Sequence, residues 1–193
     1  MRLWNGWGNE DSDLTMELSS GLRSLLEALV GTGTALPQAT LNDVLSKVPN
    51  TRLENHPLII TDPETRVRHS RGQSLPDWLE MHSGNVDTFP DGVAFPESSE
   101  QVRELLAHAK ENNLVVIPYG GGTSVVGHIN PENTNKPILT IDMGKMNSMM
   151  SIDTESQLAT FGAGAPGPIV EEELKKHGYT LGHFPQSWEL STL

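Results

Sequence analysis

Residues 114–124 read Leu-Val-Val-Ile-Pro-Tyr-Gly-Gly-Gly-Thr-Ser and join an apolar run directly to three consecutive glycines. The run Leu114–Ile117 is typical of a strand buried on both faces, as in a parallel sheet. Glycines in the turn make positive φ angles accessible and remove every Cβ, so successive N–H groups can converge on an anion. Thr123 and Ser124 add two hydroxyl donors. These residues predict a strand leading into an anion-binding loop, with a flexible hairpin or linker as the alternative.

The loop is not a Walker A motif, because no Gly-Lys-Ser/Thr triplet follows the glycines. A second glycine-rich stretch, residues 162–167, formally matches the pattern GxGxxG between a predicted strand and a predicted helix. The next predicted strand, Tyr179–Leu181, is not followed by the acidic residue that a dinucleotide fold uses for the ribose. We therefore predict a tight strand-to-helix turn at 162–167.

The rest of the chain predicts alternating strands and helices. Strands are expected at 93–95, 114–117, 138–141, 149–152, 158–161 and 179–181. Helices are expected between Ser98 and Asn112 and at 168–177, the latter ended by Gly178. Residues 1–88 predict three short helices, near 22–29, 40–48 and 75–81, that pack on the second half. The fold class is α+β with βαβ units, divided into a helical region 1–88 and a second domain 89–193.

Composition excludes several classes of function. The 193 residues carry 13 Lys+Arg against 25 Asp+Glu, a net charge of −12, and no Cys. The chain therefore lacks the basic surface of a nucleic-acid-binding protein, and disulfides, thiolate zinc sites and cysteine nucleophiles are excluded. The seven histidines are scattered without ligand spacing, so no metal site is predicted. No apolar run reaches the ~20 residues of a membrane span, and the N-terminus lacks a signal-peptide core, so we expect a cytoplasmic protein.

Several segments together resemble one family of flavoproteins. Phe89–Val102 with Pro118–Ser124 resembles the first FAD-binding segment of the vanillyl-alcohol-oxidase/p-cresol-methylhydroxylase (PCMH) type, and Gly182–Thr192 resembles its second cofactor-contacting segment. Trp4–Gly8 and the stretch 66–75 match the branch formed by alkyldihydroxyacetonephosphate synthases and their bacterial FAD-linked oxidase relatives. The resemblance implies that residues 89–193 are the first part of a PCMH-type FAD-binding domain.

The resemblance also implies the cofactor and its site. FAD would place its pyrophosphate in the first loop, formed by Pro118, Tyr119, Gly120, Gly121, Gly122, Thr123 and Ser124. The second segment would line the cofactor with Gln186, Ser187, Trp188, Glu189, Leu190, Ser191 and Thr192. Some members attach FAD covalently, often through a His in or beside the first loop. The matching positions here are 122–124, so non-covalent FAD is implied, and His128 is the only residue placed to challenge that.

The family's activity implies flavin-dependent oxidation of an alcohol or a hydroxy acid. One alternative is the synthase reaction of ether-lipid synthesis, a transfer in which a fatty alcohol replaces an acyl group without net redox change. Another is a non-catalytic flavin-binding module. Family members continue past the second segment into a substrate domain. We therefore expect an N-terminal fragment without catalytic residues or turnover of its own, whose longer parent binds the small-molecule substrate and could form a homodimer.

Two further groups of residues carry expectations about the surface. The basic cluster of Arg66, Arg68, His69 and Arg71 predicts a solvated face, with docking of an anionic substrate as the alternative. The tryptophans at positions 4, 7 and 78 are expected to anchor the helical region on the FAD domain.

Overall fold

The computed structural model describes residues 2–11 and 18–193. Its helices are α1 Ser20–Val30, α2 Leu41–Leu45, α3 Pro63–Arg68, α4 Leu75–Ser83, α5 Ser99–Glu111 and α6 Gly167–Lys176. Its strands are β1 Ile59–Ile60, β2 Gly92–Ala94, β3 Val115–Tyr119, β4 Ile138–Asp142, β5 Met149–Asp153 and β6 Leu158–Phe161. Across the described ranges, none of the helices has the length and apolar character needed to span a membrane.

Four strands form the main sheet, in the order β1-β2-β4-β3. β2, β4 and β3 run parallel, with Val93 opposite Thr140 and Val115 opposite Ile138. β4 lies between the other two parallel strands, and its residues 138–141 are buried, as expected for a strand covered on both faces. The crossover from β2 through α5 to β3 therefore passes over the place that β4 occupies. β5 and β6 form a separate antiparallel pair.

The sequence predicts most of these elements correctly, and the caps show why. Ser98 accepts a hydrogen bond from the Gln101 amide at the start of α5, and Gly178 ends α6 with a φ of +80°. The predicted strand Tyr179–Leu181 is wrong. The backbone N–H groups of Leu181 and Gly182 donate to the Glu171 carboxylate at 3.1 Å each, so this segment is held by a side chain instead of a neighbouring strand.

The N-terminal half is less purely helical than expected. β1 pairs antiparallel with β2, so a strand from the first half extends the sheet of the second. The helices α2, α3 and α4 contribute to a core cluster formed by Val44, Val67, Met81, Val86 and Phe89, against which Trp4 packs. Four of these five residues belong to the region 1–88, so the cluster is mainly a core of that region, and it reaches the second half through Phe89. Trp78 remains 37% exposed and donates its Nε1–H to Gln73, so it is not an anchor.

Helix α1 does not follow the predicted packing of the N-terminal region. It begins after the N-cap Ser19 and ends before Gly31, as its leucine spacing and glycine stop predict. None of its residues is buried, and its apolar side chains are exposed to solvent: Leu22, Leu25, Leu26, Leu29 and Val30. The prediction that the first half packs on the second is therefore wrong for α1.

The prediction of a solvated basic face is wrong. Arg66 is only 2% exposed and donates to the carbonyl oxygens of Pro90 and Pro49 at 2.6 and 2.7 Å. Arg71 is 6% exposed and forms an ion pair with Glu80 at 2.6 Å. A guanidinium has five donors on a long stem, so one side chain can satisfy several loop carbonyls that converge in the interior. These contacts use donors that docking of an anionic substrate would require.

Asp91, just before β2, is the buried acid that ties the sheet to the N-terminal region. It is 3% exposed, receives two hydrogen bonds from the Arg52 guanidinium, and accepts the Ile138 amide at 2.7 Å. Burial raises the pKa of the Asp91 carboxyl, but the hydrogen bonds from the Arg52 side chain and from the Ile138 and Arg52 backbones outweigh it. The net result is a pKa below the ordinary value.

Asp91→Asn should lower the free energy of unfolding by about 3 kcal/mol at pH 7, because an amide N–H₂ would then face the donors of Arg52 or Ile138. A carboxyl whose pKa is lower in the folded than in the unfolded state stabilises the fold fully above its unfolded-state pKa. This contribution is lost as the pH falls through the folded-state pKa. The deficit of the variant should therefore shrink below about pH 3.8. Urea unfolding across this pH range measures it.

Glu100→Gln is the matched control, since Glu100 pairs with Arg103 on the surface with both side chains more than two-thirds exposed. It should leave stability unchanged. An Asp91→Asn variant as stable as the control would show that the Arg52–Asp91 pair does not hold these segments together.

Candidate functional site

The loop after β3 forms a concave backbone surface that we call the cradle, residues 120–124. Its third glycine, Gly122, has a φ of +68°, whereas Gly120 and Gly121 lie outside the left-handed region. These two glycines serve a close approach instead. A Cβ on Gly121 would lie 1.7 Å from the Leu190 carbonyl oxygen, and one on Gly120 would lie 2.2 Å from Thr192 Oγ1. The three glycines therefore have two different structural functions.

The second predicted segment reaches the cradle because the turn at 162–167 holds it there. Thr192 forms an isolated bridge with Pro166, and the Leu193 amide donates to the Ala165 carbonyl at 3.2 Å. Ser191 Oγ then lies 3.1 Å from Thr123 Oγ1 in the cradle. Two segments almost seventy residues apart in the chain thus meet at one site.

The turn at 162–167 is the tight strand-to-helix connection that the sequence predicts. A Cβ on Gly164 would lie 1.8 Å from the Met143 carbonyl oxygen, and one on Gly162 would lie 2.1 Å from that of Met146. These glycines are needed for backbone packing. The second glycine-rich stretch therefore supports the site from outside. None of its residues lines the cavity that lies over the cradle.

A cavity of about 370 Å³ opens over the cradle. Its walls are Pro118, Gly120, Gly121, Gly122, Thr123, Ser124, Val125, Val126, His128, Ile129, Ser191 and Thr192. Within the described part of the chain, these lining residues include no Lys and no Arg. The donors that these residues can offer are backbone N–H groups, the hydroxyls of four of them (Thr123, Ser124, Ser191 and Thr192) and the imidazole of His128, which suits a phosphate group held by a nest of amides.

The cavity places four further residues beside the cradle: Val125, Val126 and Ile129, which the sequence did not single out, and His128, which it indicated only as a possible attachment residue. Val125 and Val126 are 69% and 79% exposed, which is unusual for valine pairs and leaves an apolar wall next to the polar cradle. His128 Nδ1 lies 2.9 Å from Ser124 Oγ. The signal that could have found them is simple continuity, since they extend the glycine loop directly.

Several predicted site residues lie elsewhere. Tyr119 does not line the cavity: it is 6% exposed, packs with Ile117 and Ile129, and burial raises the pKa of its hydroxyl to about 12. Trp188 packs against Gly167 at the start of α6 and against Phe184, and its buried Nε1–H has no hydrogen-bond partner among residues 2–11 and 18–193. Four further predicted site residues do not line the cavity: Gln186, Ser187, Glu189 and Leu190. The Leu190 carbonyl nevertheless packs against Gly121.

A buried parallel strand that runs into a glycine loop with a cavity over it is typical of a site for a phosphate-bearing cofactor. The chain belongs to the FAD binding domain family, whose model matches residues 90–193. FAD is therefore the cofactor. The lining residues fit FAD, because the cradle offers backbone amides and hydroxyls to a diphosphate. The three glycines 120–122 carry no side chain that would block its approach.

Within this family, the chain is similar to alkyldihydroxyacetonephosphate synthases. It is 31% identical to the synthase of Dictyostelium discoideum over 98% of this chain, and it spans 37% of that protein. A solved synthase structure superposes over 100% of this chain and 42% of its own, with 30% identity and a TM-score of 0.80. A mitochondrial D-lactate dehydrogenase of Saccharomyces cerevisiae is 31% identical over 56% of this chain and 18% of that protein.

Gly121→Ala should weaken FAD binding by at least about tenfold, the loss expected when one or two well-made hydrogen bonds are misplaced. The new methyl group would meet a backbone carbonyl that cannot rotate away, so either the cradle or residues 190–192 must move. Titration of FAD fluorescence at constant protein concentration gives the affinity.

Gly33→Ala serves as the control, because a Cβ at that position meets no atom within 4 Å. It should bind FAD as the wild type does. Wild-type affinity in Gly121→Ala would show that the close approach of residue 190 is irrelevant to the cofactor.

Proposed function

We propose that this chain binds FAD non-covalently, with the diphosphate on the cradle, and supplies the cofactor site of a flavoenzyme. The observation that carries the proposal is the meeting of the cradle with Ser191 and Thr192 around one cavity lined by backbone amides and hydroxyls. Phosphate binding by amides suits a chain of net charge −12, whose basic side chains are few. Bound FAD would supply redox chemistry, and the chain would orient it.

The side chains that line the cradle support the proposal of a non-covalent link. Thr123 and Ser124 carry hydroxyls, which are weak nucleophiles. These hydroxyls form hydrogen bonds with Ser191 and His128, respectively. The imidazole of His128 is the one lining group with the chemistry of known flavin attachment sites. Its Nδ1 lies 2.9 Å from Ser124 Oγ, so that nitrogen already has a hydrogen-bond partner within the loop.

Acid precipitation of the FAD-loaded chain should release all flavin into the supernatant, because hydrogen bonds to the diphosphate are lost when the fold collapses. Absorbance near 450 nm in the supernatant and in the washed pellet measures the partition. Flavin that stays in the pellet would contradict the proposal. Loss of that pellet signal in His128→Ala would then identify the attachment residue.

For the longer protein, we propose the reaction class of the alkyldihydroxyacetonephosphate synthases. The proposal is supported by how much of the chain the similarity covers. Similarity to a synthase extends over 98% of this chain in sequence and 100% in structure, including the N-terminal region with Trp4 and α2–α4. The match to the D-lactate dehydrogenase covers 56% of the chain. The similarity to these two synthases thus extends over the region that precedes the cofactor domain.

The second candidate is flavin-dependent oxidation of an alcohol or hydroxy acid, which the similarity to the D-lactate dehydrogenase favours. The two reactions differ in electron balance. A synthase exchanges an acyl group for a fatty alcohol without net redox change, whereas an oxidation leaves two electrons on FAD for an acceptor.

Anaerobic mixing of the FAD-loaded full-length protein with each substrate class separates these candidates. Our proposal expects an acyl-dihydroxyacetonephosphate and a fatty alcohol to yield the ether product and free fatty acid, with the flavin oxidised at the end. Stoichiometric flavin bleaching by an alcohol or a hydroxy acid, with no ether product, would overturn the synthase assignment in favour of the oxidase. If this chain alone binds FAD but catalyses neither reaction, it acts as the cofactor module.

A further inference from the structure

The second half of the glycine-rich loop, residues 124–130, is fixed on the segment that precedes and opens helix α4. The Gln73 amide donates to the Ser124 carbonyl at 2.6 Å. The Gly72 amide donates to Asn130 Oδ1 at 3.1 Å, and Asn130 Nδ2 donates to Asp77 Oδ1 at 2.6 Å. We call these four residues, Gly72, Gln73, Asp77 and Asn130, the loop clamp.

Asp77 is the centre of the clamp and is only 2% exposed. Its Oδ2 accepts from the Ser74 amide at 3.0 Å and from the Ser74 hydroxyl at 2.6 Å, which closes the capping box of α4. Its Oδ1 is left for Asn130. Capping α4 alone would require neither the burial of Asp77 nor the hydrogen bond that its Oδ1 accepts from Asn130. Asp77 therefore holds the loop as well as the helix.

Gly72 lets the two segments come this close. A Cβ at this position would lie 2.5 Å from the Ser124 carbonyl oxygen and 3.1 Å from Ser124 Cβ. The last residue of the cradle therefore rests directly on backbone of the pre-α4 segment. Asp77 and Asn130 do not line the cavity over the cradle, so they act on it through the loop.

Ordering a glycine-rich loop is costly, because each residue loses backbone conformational entropy and glycine loses the most. A ligand that must order its own site binds more weakly by that cost. We propose that Asp77 and Asn130 are positioning residues that hold the cradle in its anion-binding shape before FAD arrives. The proposal rests on the proposed function, in which the cradle receives the FAD diphosphate.

The test exchanges the two polar groups of the clamp. Asn130→Asp alone places two carboxylates 2.6 Å apart in a buried site, so the loop should detach from α4. Combined with Asp77→Asn, it restores every donor–acceptor pair. The amide at position 77 accepts from Ser74 and donates to the new carboxylate, which also accepts from Gly72. Asn135→Asp makes the same charge change at an exposed position and is the control.

Two readouts are taken on all variants: amide hydrogen exchange of residues 118–130 without FAD, and the FAD affinity. Asn130→Asp should raise exchange in the cradle and weaken FAD binding by about tenfold, the scale of one lost hydrogen bond. The double variant should recover both, and the control should change neither. Thermal unfolding confirms that each variant is folded. Should Asn130→Asp not fold, Asn130→Ala carries the same comparison, because it removes both hydrogen bonds without adding charge.

The outcomes separate this proposal from the one on which it rests. Unchanged cradle exchange in Asn130→Asp would overturn the clamp, and so would faster exchange with undiminished FAD affinity. Failure of the double variant to recover would show that the pair does not act through its hydrogen bonds, and would also overturn it. A wild-type chain that does not bind FAD would overturn the proposed function itself and the clamp's role with it.

Discussion

The contact on which the site depends is the approach of the backbone at residues 190–192 to Gly120 and Gly121. No side chain fits between these two stretches, since a Cβ on either glycine would overlap an atom of the other segment. The two segments lie far apart in the chain and meet only because the turn at 162–167 is itself packed tightly against residues 143–146. Two successive contacts between backbone segments, each permitted by glycines, thus form the cavity.

This construction explains how an acidic chain can offer a phosphate site. Electrostatic attraction by Lys or Arg is replaced by amide dipoles whose positions the packing sets. Such an arrangement is specific in geometry, because amides bind well only when they converge, and it depends on rigid support. The parallel sheet supports the cradle from β3, and the pre-α4 segment supports it from Gly72 and Asp77. The exposed valines at 125 and 126 then provide an apolar wall at the rim.

Local patterns predict most of the fold. Mainly apolar runs locate the central strands, the Ser98 cap locates the start of α5, and Gly178 locates the end of α6. β1 escapes prediction because two residues are too few to show a period. The burial of Arg66 and Arg71 escapes it for another reason. Their partners include carbonyl oxygens of Pro90 and Thr88, and any residue type can present a carbonyl there.

The site is predictable in part for the same reasons. The glycine run identifies the cradle, and family resemblance identifies the segment that ends at Thr192. Neither shows that Tyr119 turns into the core, because a tyrosine at the end of a buried strand can face either way. Neither shows that Gly120 and Gly121 are required for close approach instead of for positive φ. That distinction is a property of the distant residue 190, and so it becomes visible only in three dimensions.

The central claim is that backbone amides of the cradle hold the FAD diphosphate, and amide-resolved NMR titration tests it most directly. Added FAD should move the resonances of residues 120–124 and of Ser191 and Thr192 most, and inorganic pyrophosphate should move the same glycine amides. Riboflavin, which lacks phosphate, should leave the glycine amides unmoved. If FAD shifts other residues and leaves 120–124 unperturbed, the diphosphate does not bind at the cradle and the account is wrong.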